Sequence, residues 1–363
     1  MGNKGFGDMQ QKTLWINQIK GLCICLVVIY HSVITFYPHL QALQHPASQT
    51  LAKCWVYFNL YLAPFRMPVF FFISGFLIRR YVADVPWEGC IDKRVWNIFY
   101  VLGLWGLIQW FALRQLNGWL APERDLSDAA NAAYADSPGQ FLFGMLTAST
   151  SLWYLYALIF YFIFCKLCAG IKAPILVALA ALSVAINFLP LPWWGLNSVL
   201  RNIIYYALGA WYGTAVMTWL TTPLPRRALF PLFVFALAAV AFYFKGVPLL
   251  MALLSIFIIM KLFWRASHYL TPGENNWLNV VGSNTIAIYT THRILVEGAS
   301  LLLIKRLNGH TLTPDGEFAL LLIYPLLSLI ACTLFGLLVR QLSRRFSDDA
   351  LFSPPAKLAL AAS

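Results

Sequence analysis

Two residues in one apolar stretch invite chemistry first. Lys20 and His31 stand eleven positions apart, and His31 sits in the run Cys25-Leu26-Val27-Val28-Ile29-Tyr30-His31-Ser32. At about 100° per residue that spacing returns to nearly the same helix face, and at about 1.5 Å per residue it spans roughly 16 Å. A cation near one mouth of such a helix and an imidazole deeper inside suit an anionic donor that reaches toward a general base. Two plainer readings stand beside it. Lys20 can snorkel to an interface, and His31 can hydrogen-bond a neighbouring helix.

Other ionisable residues within apolar runs are few: Arg66, Arg201, His292, Arg293 and Glu297. Charge inside a membrane is expensive, so each is a functional candidate by default. Arg66 precedes the aromatic run Phe70-Phe71-Phe72, which leads to Ser74-Gly75, small residues that let a helix or ligand come close. Ser74 has no G-x-S-x-G elbow around it and reads as a packing or hydrogen-bonding serine, not a nucleophile. The stretch from Gly282 to His292, with Asn284 and Tyr289, is too polar to face lipid. His292 could assist chemistry or hold its helix in the bundle, and Glu297 can neutralise Arg293 one turn away. Seven cysteines are scattered through the runs and read as small apolar packers, so no metal site is expected.

The elements that must position these residues follow from composition. Of 363 residues 60% are hydrophobic and 11% charged, against about 45–50% and about 25% in a soluble domain. That excludes a soluble enzyme, a disordered chain and a secreted disulfide scaffold. The net charge of +12 comes as isolated basic pairs such as Arg79-Arg80, Lys93-Arg94 and Arg226-Arg227. No basic stripe forms, so nucleic acid is not a partner. Runs long enough to span fall near 14–36, 56–78, 95–116, 139–165, 173–190, 198–218, 228–244, 247–264, 279–304 and 318–340. The first is too long for a signal peptide and has no small-residue cleavage site. The fold class is therefore all-α: a polytopic membrane helical bundle of about ten transmembrane helices. Sorted by loop, sixteen of the 26 Lys and Arg lie on the side of the termini and six on the other. Both termini are thus expected in the cytoplasm. The loop 117–138, with Glu123, Asp125, Asp128 and Asp136, is expected outside. One transmembrane domain is expected over 1–345, with a short cytoplasmic tail over 346–363.

Several of these segments, taken in order, resemble the acyltransferase 3 family of integral membrane acyltransferases. Lys20 and His31 are similar to the family's basic residue, ten intervening positions and histidine. Phe71-Phe72-Ile73-Ser74-Gly75-Phe76-Leu77 resembles its second-helix signature, and Lys93-Arg94 its basic cytoplasmic mouth. Ser151-Leu152-Trp153-Tyr154-Leu155, Tyr206-Ala207-Leu208-Gly209 and the stretch Ser283 to His292 resemble later motifs. The subgroup that O-acetylates fucose-like sugars is the most similar. One departure is that Lys20 stands where the family usually has Arg, which keeps the charge and loses the planar fork.

The resemblance implies acyl transfer, acetyl first, from a cytoplasmic acyl-CoA to a hydroxyl of an envelope glycan or lipid-linked sugar. The site would be a bacterial inner membrane, with membrane lipids as the other partners. It implies His31 as general base and donor binding by Lys20, Lys93 and Arg94. Arg66, Phe72, Ser74, Gly75, Asn284, Tyr289 and His292 would line or support the path, and Trp153 and Tyr154 could stack on a sugar or on adenine. No cofactor is bound; acetyl-CoA or another acyl-CoA is the donor substrate. Two rival functions remain at this stage: a transporter or small-molecule-binding module without acyl turnover, and a structural membrane subunit.

Overall fold

The computed structural model describes residues 3–39, 45–124, 131–270, 276–307 and 312–355, and is helical with no strand among them. Two of the four acids of the outer loop, Asp125 and Asp128, lie outside the described residues, as do residues 356–363 of the tail. In order come α1 (Asn3–Phe36), α2 (Pro46–Ala83), α3 (Asn97–Leu120), α4 (Pro138–Leu146), α5 (Trp153–Leu167), α6 (Lys172–Ala185) and α7 (Trp194–Thr221). Then follow α8 (Leu229–Phe244), α9 (Leu249–Leu254), α10 (Met260–Leu270), α11 (Trp277–Ser283), α12 (Thr285–Leu307) and α13 (Pro314–Phe346). Among the described residues six helical stretches are long and apolar enough to cross a membrane; α5 and α6 are shorter apolar helices. Along α8 only Ala239 is buried, and its exposed leucines and phenylalanines can be satisfied only by lipid.

Three expected spans are broken, each for a local reason. The run 139–165 divides between α4 and α5 at Thr147-Ala148-Ser149-Thr150-Ser151. Hydroxyl side chains there compete with the helix: Thr147 Oγ1 donates to the Phe143 carbonyl, and Thr150 Oγ1 accepts from the Leu152 N–H. Ala148 takes a left-handed φ of 55°. The run 279–304 breaks at Asn284, whose side-chain amide donates back to the Val280 carbonyl and ends α11. The run 247–264 carries one wide π turn over Ser255–Ile259 between α9 and α10.

Prolines inside helices free a carbonyl four residues earlier, and tyrosines from other helices take these up. Pro64 frees Leu60, whose carbonyl accepts from Tyr243 of α8 at 3.1 Å. Pro325 frees Leu321, whose carbonyl accepts from Tyr37 at 2.7 Å. Pro64 and Pro68 thus sit on either side of Arg66 in α2, and the backbone carbonyl of Leu60 is still satisfied.

The helices that carry the site cross at glycines. A Cβ on Gly75 would strike the Tyr206 carbonyl, and one on Gly209 the Phe72 carbonyl, so α2 and α7 touch backbone to backbone. Gly21 and Gly282 bring α1 and α11 equally close. Gly209→Val should force α2 and α7 apart and cost about 1–3 kcal/mol, read as a fall in melting temperature of the detergent-purified protein. Gly103→Ala, where nothing lies within 4 Å of the new Cβ, should leave it unchanged or slightly raised.

One end of the bundle gathers the start of α3, the end of α2 and the segment after α13. Tyr100 and Trp105 of α3 donate to the carbonyls of Ala350 and Leu351, and Phe352 stacks on Trp105 at 5.5 Å. The chain after Phe346 therefore folds back onto α3 before the end of the described residues. Lysines at this end also close helix C-termini, where cations suit the backbone dipole. Lys166 donates to the Tyr81 and Val85 carbonyls, and buried Lys261 to those of Trp219, Leu220 and Thr222. The excess of Lys and Arg makes this the cytoplasmic, inner end.

Candidate active site

Two cavities enter the bundle from opposite ends and share one wall. The inner cavity, of about 260 Å³, is lined by Lys20 of α1, Ser74 of α2 and Lys93 and Arg94 on the π turn that leads into α3. Tyr154, Tyr206, Thr285 and Tyr289 complete its deep end. The three cations expected to act together, drawn from two separate parts of the chain, do converge on one space. Arg94 lies over the Tyr81 ring at 4.1 Å and keeps a buried Nε without a partner among the described residues. Asn97, which sequence reasoning did not single out, also lines this cavity, and its Oδ1 has no partner among the described residues.

The outer cavity, of about 490 Å³, is lined by His31 of α1, Arg66 of α2, Trp153 of α5, Arg201 of α7, and Tyr289 and Arg293 of α12. Lys20 and His31 therefore do not share a cavity, although they share a helix face. The roughly 16 Å of helical rise between them carries the helix from one compartment to the other.

The wall between the cavities is aromatic. Tyr289 lines both. Its hydroxyl donates to the Ser151 carbonyl at 2.7 Å and accepts from the Tyr154 N–H at 3.2 Å, which ties α12 to the irregular turn before α5. Tyr154 stacks parallel on Phe70 at 4.8 Å and meets Tyr289 edge-on at 5.5 Å. Ser74 Oγ donates its one proton to the Phe70 carbonyl at 2.8 Å, so the Tyr154 hydroxyl, 2.7 Å away, donates to Ser74. A serine so engaged holds a tyrosine in place and has no adjacent base. Trp153 and Tyr154, neighbours in sequence, open to opposite cavities.

His31 has His292 as its neighbour, with ring centroids 5.1 Å apart and planes at 49°. His292 is fully buried and its Nδ1–H donates to the Tyr289 carbonyl at 2.7 Å. That bond fixes the tautomer and leaves Nε2 as an acceptor with no partner among the described residues. Gln109 of α3 donates to the Thr290 carbonyl and steadies the same turn of α12.

Of the residues expected to line or support the path, three stand away from the two cavities or shape the helices around them. Phe72 is fully buried with its carbonyl against Gly209, and Gly75 supplies the α2–α7 crossing; neither lines these two cavities. Asn284 forms the break before α12. The intramembrane list had already contained Arg201 and Arg293 as costly charges, but nothing in it showed that both join His31 and Arg66. Arg124 lies at the start of the outer loop, just after α3. It reaches fully buried Glu297 at 2.6 Å, while Arg293 approaches the other carboxylate oxygen at 3.3 Å. Arg293 also donates to Thr35 at 2.8 Å and to Tyr134 at 2.6 Å. Among the described residues no three His, Cys, Asp or Glu side chains are grouped as metal ligands.

The helical membrane bundle thus carries a cationic inner cavity and an outer cavity that holds His31. Residues 13–340 match the model of an acyltransferase domain, and the chain belongs to the acyltransferase 3 family. It is also similar to the inner membrane protein YcfT of Escherichia coli (strain K12), 62% identical over 349 residues that cover 96% of this chain and 98% of the relative. The protein is accordingly a multi-pass protein of the inner membrane. No solved structure matches it.

Proposed function

We propose that the protein transfers an acyl group, acetyl in the first instance, from acyl-CoA entering from the cytoplasm to a hydroxyl of an envelope glycan or lipid-linked sugar. The observation that carries this reading is the pair of cavities back to back, cationic on the inner side and imidazole-lined on the outer, with Tyr289 in the wall of both. Lys20, Lys93 and Arg94 attract the donor's phosphates, and the thioester arm passes the wall at Tyr154 and Tyr289. His31 takes the proton of the acceptor hydroxyl. The oxygen attacks the thioester carbonyl, the new C–O ester bond forms, and the C–S bond breaks as the tetrahedral intermediate collapses. The CoA thiolate leaves and receives the proton from the imidazolium, so the base is restored. An aromatic wall that only the slender donor arm crosses favours group transfer across it over passage of a whole solute through it.

The donor half is tested with labelled acetyl-CoA and purified protein. Lys93→Ala and Arg94→Ala together should raise the donor KM by about tenfold or more, most strongly at low ionic strength. The kcat at saturating donor should change little. A donor KM that is indifferent to both substitutions and to salt would place the CoA phosphates elsewhere.

A further inference from the structure

The outer cavity is the larger of the two, and its charge is one-sided. Arg66, Arg201 and Arg293 line it, with no Asp or Glu among the lining residues. Arg293 has Glu297 as a counter-charge and donates to Thr35 and Tyr134, although its Nε is also buried without a partner among the described residues. Buried Arg66 and half-buried Arg201 have no such counter-charge among those residues. Arg66 is 6% exposed, and one face of its guanidinium lies over the Tyr30 ring at 4.2 Å. Its Nη1 is buried with no hydrogen-bond partner among the described residues, and the same holds for Nε of Arg201. Neither has a carboxylate within ion-pairing distance among those residues.

A guanidinium withdrawn from water without a counter-charge is strongly unfavourable. A lysine or histidine can escape by losing its proton, but arginine cannot. The Tyr30 ring offsets part of this cost for Arg66 and leaves the in-plane N–H donors unused. Arg66 and Arg201 both line an open space of about 490 Å³ that also holds His31. The donor's phosphates do not meet this need, because they have their own cations in the inner cavity.

We infer that the outer cavity is an oxyanion site, and that the acceptor carries a carboxylate or phosphate held by Arg66 and Arg201. This rests on the reading of that cavity as the acceptor site. Arginine's planar fork matches either oxyanion bidentately. Binding the anion fixes the acceptor in the cavity that holds His31 and neutralises guanidinium charge that no carboxylate among the described residues offsets. A neutral sugar can hydrogen-bond the arginines without supplying the missing charge.

The test uses full-length protein in nanodiscs and measures binding calorimetrically for glucose, glucuronate, glucose 6-phosphate and a polyprenyl phosphate, with acetyl-CoA binding followed in parallel. Glucuronate or a phosphate probe should bind at least about tenfold more tightly than glucose, and weaken as salt rises. The acidic sugar, the soluble phosphate and the lipid phosphate distinguish the possible sources of the anion. Arg66→Gln and Arg201→Gln should each lose about tenfold or more for the anionic probe, with acetyl-CoA binding kept as the sign of a folded protein. Glucose binding as tight as the anions, or anion binding that neither substitution alters, would overturn the inference. Transfer of labelled acetyl to glucose and to its acids with equal kcat/KM would also overturn it, and leave acyl transfer intact. Anion binding lost in both variants, with no acetyl transfer to any probe, would support the oxyanion site while sinking the acyl-transfer reading.

Discussion

Purified His31→Ala protein should bind acetyl-CoA normally and transfer its acetyl group about 10²–10⁴ times more slowly than the unsubstituted protein. The expectation rests on the titratable chemistry of the outer cavity. Its ionisable lining consists of Tyr30, His31, Arg66, Arg201, Tyr205, Tyr243, Tyr289 and Arg293. Arginine has no lone pair to accept a proton, and a tyrosine would first have to lose its own near pH 10. The imidazole of His31 is the one group in this set with a basic lone pair available without first losing a proton. Donor binding should survive because Lys20, Lys93 and Arg94 lie in the other cavity. His292→Gln should slow transfer less than His31→Ala, since His292 packs against His31 and is absent from the lining of the outer cavity. Single-turnover transfer with saturating labelled donor separates the two. A His31→Ala rate within a few-fold of the original would remove His31 from the chemistry and leave the cavity with no evident base.

The bundle itself was legible from the lengths of apolar runs, because the thickness of hydrocarbon is a constraint each spanning helix must meet alone. What a run of averaged hydropathy cannot register is a short polar interruption. The hydroxyl cluster at Thr147–Ser151 and the amide at Asn284 break helices through single side-chain bonds to backbone, and both lie inside stretches that remain apolar overall. The site was legible where one helix carries its parts, as with Lys20 and His31 on α1. Their shared face followed from helical period. That they serve different compartments did not, because the wall comes from elsewhere: Tyr154 and Tyr289 are 135 positions apart and meet through one N–H. The convergence of Lys93 and Arg94 on Lys20 was suggested by ordered motifs and not by spacing. Arg66, Arg201 and Arg293 were each visible as a cost, and only the fold shows three such costs facing one cavity.

Glu297 gives the second large effect. It is fully buried and lies between Arg124 and Arg293. Removing one partner of a buried ionic group leaves the others uncompensated, which costs about 3–5 kcal/mol. Glu297→Ala should therefore lower the melting temperature sharply and reduce transfer with it, since Arg293 lines the cavity beside His31. A second substitution decides between structure and chemistry. If Glu297 serves to neutralise the arginines, Arg124→Leu in the Glu297→Ala background removes one stranded cation and recovers part of the lost stability, a coupling visible in a double-mutant cycle. If the carboxylate itself moved a proton, Glu297→Gln would keep the shape and melting temperature while transfer collapsed. The geometry favours the first outcome. Both carboxylate oxygens are directed at guanidinium groups, and Glu297 is absent from the lining of the outer cavity, whose neighbouring member of the group is Arg293. Arg124 comes from the outer loop, so this one acid also fastens that loop over the helix that carries Tyr289 and His292. Loss of Glu297 should then loosen the wall and the base together, and acyl transfer should fall in step with the melting temperature across Glu297→Gln, Glu297→Ala and the Arg124→Leu double variant.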